Sequence, residues 1–121
     1  MASGAVRNLV PVVPVTVLDR SGAPQQFQAV LDTGFAGALS LPRSSIERLG
    51  LANPRQEPVI FANGEKQESN IYRATAIWDG ERYAVSLYEL GPEPLIGMGL
   101  LIGSHVAMDV REDGPISIEP L

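Results

Sequence analysis

Val30-Leu31-Asp32-Thr33-Gly34-Phe35-Ala36-Gly37-Ala38-Leu39-Ser40-Leu41-Pro42 is the stretch on which the reading of this 121-residue chain turns. An apolar run delivers an acid, a small hydroxyl residue and a glycine, and a second apolar run follows almost at once. Asp and Gly are turn residues, so the triplet Asp32-Thr33-Gly34 taken alone reads as a β-turn after a strand. What else it means depends on the sequence around it.

Upstream, Gln26 to Leu31 reads as a strand that runs directly into Asp32, and Ser21-Gly22-Ala23-Pro24 as the turn before it. Leu9 to Val17 is rich in valine but carries Pro11 and Pro14. Proline cannot donate to a ladder, so the expectation is an edge or surface strand. Downstream, Ala38 to Leu41 is a short strand, and Pro42 to Leu49 makes one or two helical turns. Pro42 suits the helix start and Gly50 the position just past its end. Ile46 and Leu49, three apart, would share the buried face.

Further along, Pro58 to Ala62 is apolar and extended, and Asn63-Gly64 is a strong signal for a two-residue hairpin. Gln67 to Trp78 and Glu81 to Leu87 flank Asp79-Gly80, a second turn of the same kind. Leu95-Ile96-Gly97 is a short strand ending in glycine, and Met98 to Ile102 a single helical turn weakened by Gly99. Val106 to Val110 and Ile116 to Glu119 alternate as strands about Asp113-Gly114. Ten prolines and twelve glycines between short apolar segments favour an all-β domain spanning residues 1–121.

Composition narrows the function. The chain is 45% hydrophobic and 19% charged, which suits a globular protein and not a disordered one. It has no cysteine and a single histidine, His105, so neither a thiolate site nor a histidine-paired zinc site can form. No metal and no cofactor is expected. Net charge is −5 and the nine basic residues are scattered, which argues against a nucleic-acid partner. No apolar run approaches the roughly 20 residues that span a bilayer. The N-terminal residues do not read as a signal peptide. The expectation is a cytoplasmic protein with no membrane partner.

Four landmarks in order now give Asp32 a context. Val30 to Pro42 resembles the active-site segment of retroviral-type and bacterial single-domain aspartic proteases. Leu49-Gly50-Leu51 closes a helix as in the bacterial members. Phe61-Ala62-Asn63-Gly64 is similar to their flap hairpin. Pro94-Leu95-Ile96-Gly97-Met98-Gly99-Leu100-Leu101 is similar to the apolar-apolar-Gly element beside the catalytic loop. The resemblance covers residues 9 to 119. It implies a retropepsin-like closed acid-protease barrel with a flap hairpin and one or two short helices, assembled as a homodimer. It also implies a peptide or protein substrate.

The implied chemistry explains the residue types. Hydrolysis by this route uses two carboxylates that share one proton, one as base on a water and the other as donor to the scissile carbonyl. The chain has one Asp-Thr-Gly triplet, and its other aspartates lie elsewhere: Asp19, Asp79 and Asp113 in turn-like sequence, Asp109 within a strand. The second carboxylate must then come from a second copy, with a two-fold axis between the two Asp32 side chains. By resemblance, the Thr33 hydroxyl bonds across that axis, and Gly34 allows close backbone approach. Leu31 would anchor the loop in the core. Ala62, Asn63 and Gly64 form a flap tip that closes over an extended peptide. Phe35, Ala36 and Ile96 stand where substrate would bind. Phe35, Ile60 and Ile96 read equally as pocket wall or as plain core.

Two departures from the retroviral pattern matter. Phe35-Ala36-Gly37 replaces the acidic residues that grip the peptide backbone in those enzymes, and Gly99 stands where many relatives carry a polar or acidic residue. The second is expected to loosen the short helix or its contacts with a partner chain. Two other readings stay open: a peptide-binding or dimerisation module without catalysis, and an unrelated small β-barrel with a chance turn. Outside the motif, His105 reads as a surface residue, Trp78 as hairpin packing, and Glu65, Lys66 and Glu68 as a solvated hairpin face.

Overall fold

The computed structural model describes residues 2–60 and 63–121. Among them are ten strands and two short helices in one sheet system. The strands are β1 (Ala2–Arg7), β2 (Val10–Leu18), β3 (Pro24–Leu31), β4 (Leu39–Leu41), β5 (Arg55–Ile60), β6 (Lys66–Trp78), β7 (Glu81–Glu89), β8 (Leu95–Ile96), β9 (Ser104–Met108) and β10 (Pro115–Pro120). The helices are α1 (Arg43–Leu49) and α2 (Met98–Leu101). No helix among the described residues is long and apolar enough to cross a membrane.

The hydrogen-bonded order is β5-β6-β7-β4-β8-β3-β2-β1-β10-β9, and β6 also pairs with β2 through Thr16–Ile77 and Val17–Ala76. That extra pairing closes β2, β3, β8, β4, β7 and β6 into a ring. The expected closed barrel is therefore present, with β5 hanging from β6 on one side and β1, β10 and β9 from β2 on the other. Closure removes the edges of those six strands.

Alternation along the strands fills the ring. Val13, Val15 and Val17 of β2 are buried, as are Phe27, Ala29 and Leu31 of β3, while Gln26 and Gln28, which alternate with them, face out. Side chains on a strand alternate faces, so this period of two places one face inside. Leu39, Leu41, Leu87 and Ile96 complete the centre, each with no exposed surface. α1 begins after Pro42 and ends at Gly50 with φ 70°, and it turns Ile46 and Leu49 onto the same core. Trp78 is buried at the β6–β7 turn, where Asp79 and Gly80 both take positive φ as a type I′ turn requires.

Three expectations need correction. Residues 10–18 form an interior strand, not an edge. Pro11 is tolerated because the β3 ladder starts only at Val12, and Pro14 because it lies between the last β1 pair at Val12 and the first β6 pair at Thr16. Neither proline interrupts a needed bond. Second, Ile60 pairs with Lys66, a register that does not make Asn63-Gly64 a two-residue turn. Asn63 instead accepts the Glu65 backbone N–H through Oδ1 at 3.0 Å, the local bond that favours Asn in loops. Third, Asp109 lies just past the end of β9, where its carbonyl accepts the Arg111 N–H at 3.0 Å. β1 was not expected at all: its alanines, serine and glycine carry little strand signal, and pairing with β10 and β2 defines it.

Candidate active site

The Asp32 loop owes its position to β8. Leu95 and Ile96 insert between β3, with which they run parallel, and β4, with which they run antiparallel. The chain leaves β3 at Leu31 on one side of β8 and returns at Leu39 on the other, so residues 32–38 must arch over Gly97. Backbone bonds pin the arch. Asp32 donates its N–H to the Ile96 carbonyl at 2.8 Å, Gly97 to Ala38 at 3.1 Å, Met98 to Phe35 at 2.8 Å and Gly99 to Gly37 at 3.1 Å.

Within the arch, the Gly34 N–H donates to Asp32 Oδ1 at 2.9 Å, and Phe35 N–H to the Asp32 carbonyl at 3.1 Å. A charge-directed bond of this kind orients the carboxylate before any substrate arrives. A side chain at residue 34 would place its Cβ 3.2 Å from the same Oδ1, so the glycine allows the close approach the sequence suggested. Leu31 is buried beneath the loop.

Gly99 meets the arch within the chain. A Cβ there would sit 2.9 Å from Ala38 N and from the Gly37 carbonyl carbon. The missing side chain lets α2 press directly on the arch. Gly99 thus tightens the packing of α2 on the arch.

A cleft of about 580 Å³ opens above Asp32. Its floor is Asp32 with Gly34 to Gly37, and its roof is Glu57 to Ile60 of β5. Phe35 and Ile60 line it. Ala36 lies there too, exposed. Ile96 belongs to the core with no exposed surface, and its neighbour Leu95 takes the wall position. Asn63 and Gly64 sit exposed beyond the roof strand, and Ala62 lies outside the described residues.

Sequence reasoning missed Glu57, Val59 and Tyr88. Tyr88 meets the Phe35 ring edge-on, with centroids 5.3 Å apart and planes at 89°, an arrangement that fixes the Phe35 side of the floor. No local signal announces a contact across so many residues.

Thr33 points the other way. It is exposed and lines a second depression of about 650 Å³ with Leu31, Met98, Ile102, Val106 and Met108. Met98, Ile102, Val106 and Met108 are among the exposed large apolar side chains of the molecule. β9 is the last strand of the sheet order, so one of its edges has no partner strand among the described residues. One loop thus presents its acid to a cleft and its hydroxyl residue to an apolar face.

No family model matches the chain, and no curated protein matches it. Among solved structures, the chain is similar to a retropepsin-like aspartic protease from Rickettsia conorii. The TM-score is 0.61 and the identity 19%, over 98% of this chain and 92% of that one. A mostly β chain with a closed barrel, a β8-straddling Asp32 loop and this likeness over nearly its full length has the retropepsin-like fold.

Proposed function

We propose that this chain is an aspartic endopeptidase that works as a homodimer, with the two copies of Asp32 forming its dyad. The observation that supports this reading best is the split environment of one loop: an oriented Asp32 carboxylate on the floor of a peptide-sized cleft, and Thr33 on an apolar face beside it. A single chain offers one such carboxylate. A two-fold partner seated on the Thr33 face would bring the second.

The chemistry then follows from charge. Two carboxyl groups about 3 Å apart, the arrangement of characterised aspartic proteases, cannot both ionise. They hold one proton between them and titrate as a pair. The ionised member takes a proton from water as that water attacks the carbonyl carbon. The protonated member donates to the carbonyl oxygen as charge develops there. Collapse of the tetrahedral species expels the amine, which leaves with a proton from the dyad. The substrate lies extended between the floor and β5, the terminal strand of the sheet order, whose outer edge can accept a peptide strand. Closure of the flap over it would exclude water from the bond being cut.

A second reading, peptide binding without turnover, draws on Phe35-Ala36-Gly37, which leaves the floor beyond Asp32 without a carboxylate. One experiment separates the two. Purified chain is incubated with a peptide library at mildly acid pH beside Asp32→Asn. The peptidase reading expects cleavage that falls to background in the variant. Equal cleavage by both would refute it, and binding without cleavage would favour the second reading.

A further inference from the structure

The proposed chemistry uses one of the two acids in the cleft and leaves Glu57 without a role. The remaining described lining carries no Arg, Lys or His, and its larger side chains are apolar or aromatic: Phe35, Val59, Ile60, Tyr88 and Leu95. A carboxylate in such a wall, beside Asp32 on the floor, is a recognition element for a cation. Glu57 Oε1 accepts from Arg55 Nε at 3.0 Å, but both side chains are about half exposed, at 49% and 46%. Pairs of that kind are weak and exchange partners easily. Arg55 lines a different depression, with Arg73 and Ser86, so it does not occupy the cleft.

Position along the strand sets the register. Glu57 lies two residues before Val59, so the two share a face of β5, about 7 Å apart at the rise of an extended strand. A peptide laid extended beside β5 advances at the same rise. Its side chain opposite Glu57 therefore stands about two residues from the one opposite Val59, on the side away from the flap tip. The chain's net charge of −5 also draws cationic peptides toward it.

We propose that Glu57 selects a lysine or arginine at an outer position of the bound peptide, in substrates whose residues at the scissile bond itself are apolar. This rests on the peptidase reading above. In a two-fold dimer each copy supplies one Glu57, so the preference falls on both sides of the bond.

The test uses peptides with a fixed apolar centre and Lys, Gln or Glu at the outer positions. Cleavage by the parent, Glu57→Gln and Glu57→Lys is compared at low and high salt. The parent should favour Lys over Gln by about two- to fivefold in kcat/KM at low salt, less at high salt. Glu57→Gln should erase the ratio, Glu57→Lys should turn it toward Glu, and Arg55→Gln should enlarge it. A ratio near one in the parent, or one that survives Glu57→Gln, overturns the proposal. The same peptides titrated onto Asp32→Asn read the preference as binding. A chain that cleaves nothing would thus sink the peptidase reading while Glu57 is still judged on affinity.

Discussion

Replacing Gly97 by alanine should do far more damage than replacing Gly99, although the two sit two residues apart. At Gly97 a Cβ would meet the Gly37 carbonyl oxygen at 2.1 Å and the Phe35 carbonyl oxygen at 2.6 Å. Both are backbone atoms of the Asp32 arch and cannot swing aside as a flexible side chain would. The first contact lies more than an ångström inside the 3.4 Å at which ordinary contact begins. The arch must lift, which strains or breaks the bonds from Gly97, Met98 and Gly99 to Ala38, Phe35 and Gly37. Overpacking costs about 1–3 kcal/mol, and each lost backbone bond about 1 kcal/mol. About 3–5 kcal/mol is therefore expected, a large share of the stability of a domain this size. At Gly99 the closest atoms stand at 2.9 Å, about half an ångström short of ordinary contact. There alanine also gains up to about 1 kcal/mol of helix propensity in α2. The two terms nearly offset, leaving a net loss of about 1 kcal/mol. Urea unfolding at one fixed protein concentration measures both, since a dimer's stability depends on concentration. Peptide cleavage reads the arch directly: Gly97→Ala should abolish it and Gly99→Ala should lower it modestly. Equal stability of the two variants, or a Gly97→Ala chain as stable and active as the parent, would refute the close approach of α2 and the arch.

Further tests address the dyad, the core and the turns. If Asp32 acts in pairs, adding an equal amount of Asp32→Asn to a fixed amount of parent should cut its activity to about half once subunits exchange, because hybrids form. Activity that stays constant would mean that each chain works alone. Leu39→Ala removes a fully buried side chain from the strand that returns from the arch and should cost about 2–5 kcal/mol of unfolding free energy in urea; a loss under about half a kcal/mol would contradict its place in the ring. Asp19 accepts from Ser21 Oγ at 2.6 Å, from the Ser21 and Ala23 N–H groups at 2.9 Å each, and from Gln25. These bonds, led by the Ser21 hydroxyl, hold its carboxyl below the ordinary value of 3.8. The folded value is depressed, so the support is present above the unfolded value and lost as pH falls through the folded one. The parent should therefore outlast Asp19→Asn near neutrality and lose that advantage only in strong acid; an advantage unchanged across the whole range would show that the ionised form is not what supports the turn.

Much of this fold could be read along the chain because its signals are local. A period of two marks β3, Pro42 and Gly50 bracket α1, and Asp79-Gly80 turns β6 into β7 with both residues at positive φ. Each depends on a few neighbouring residues and the dihedral or face they require. Asp32, Thr33 and Gly34 were legible for the same reason, as a fixed spacing at the end of an apolar strand. Proline misled for the same reason: Pro11 and Pro14 signal a missing donor, and only the neighbouring strands decide whether that donor was needed.

Tertiary structure decided what lies on either side of the loop. The β2–β6 pairing that closes the barrel joins residues some sixty positions apart. The Phe35–Tyr88 contact and the approach of Gly97 and Gly99 to the arch span comparable distances along the chain. No propensity encodes such pairings, since they arise from burying one face against whichever distant strand is there to cover it. By itself the sequence determined that Asp32 ends a strand and is followed by a residue that lets the backbone come close. That Asp32 faces a cleft, that Thr33 faces an apolar surface, and that Glu57 shares the cleft with Asp32 were decided by how β8 threads between β3 and β4 and how β5 lies over them.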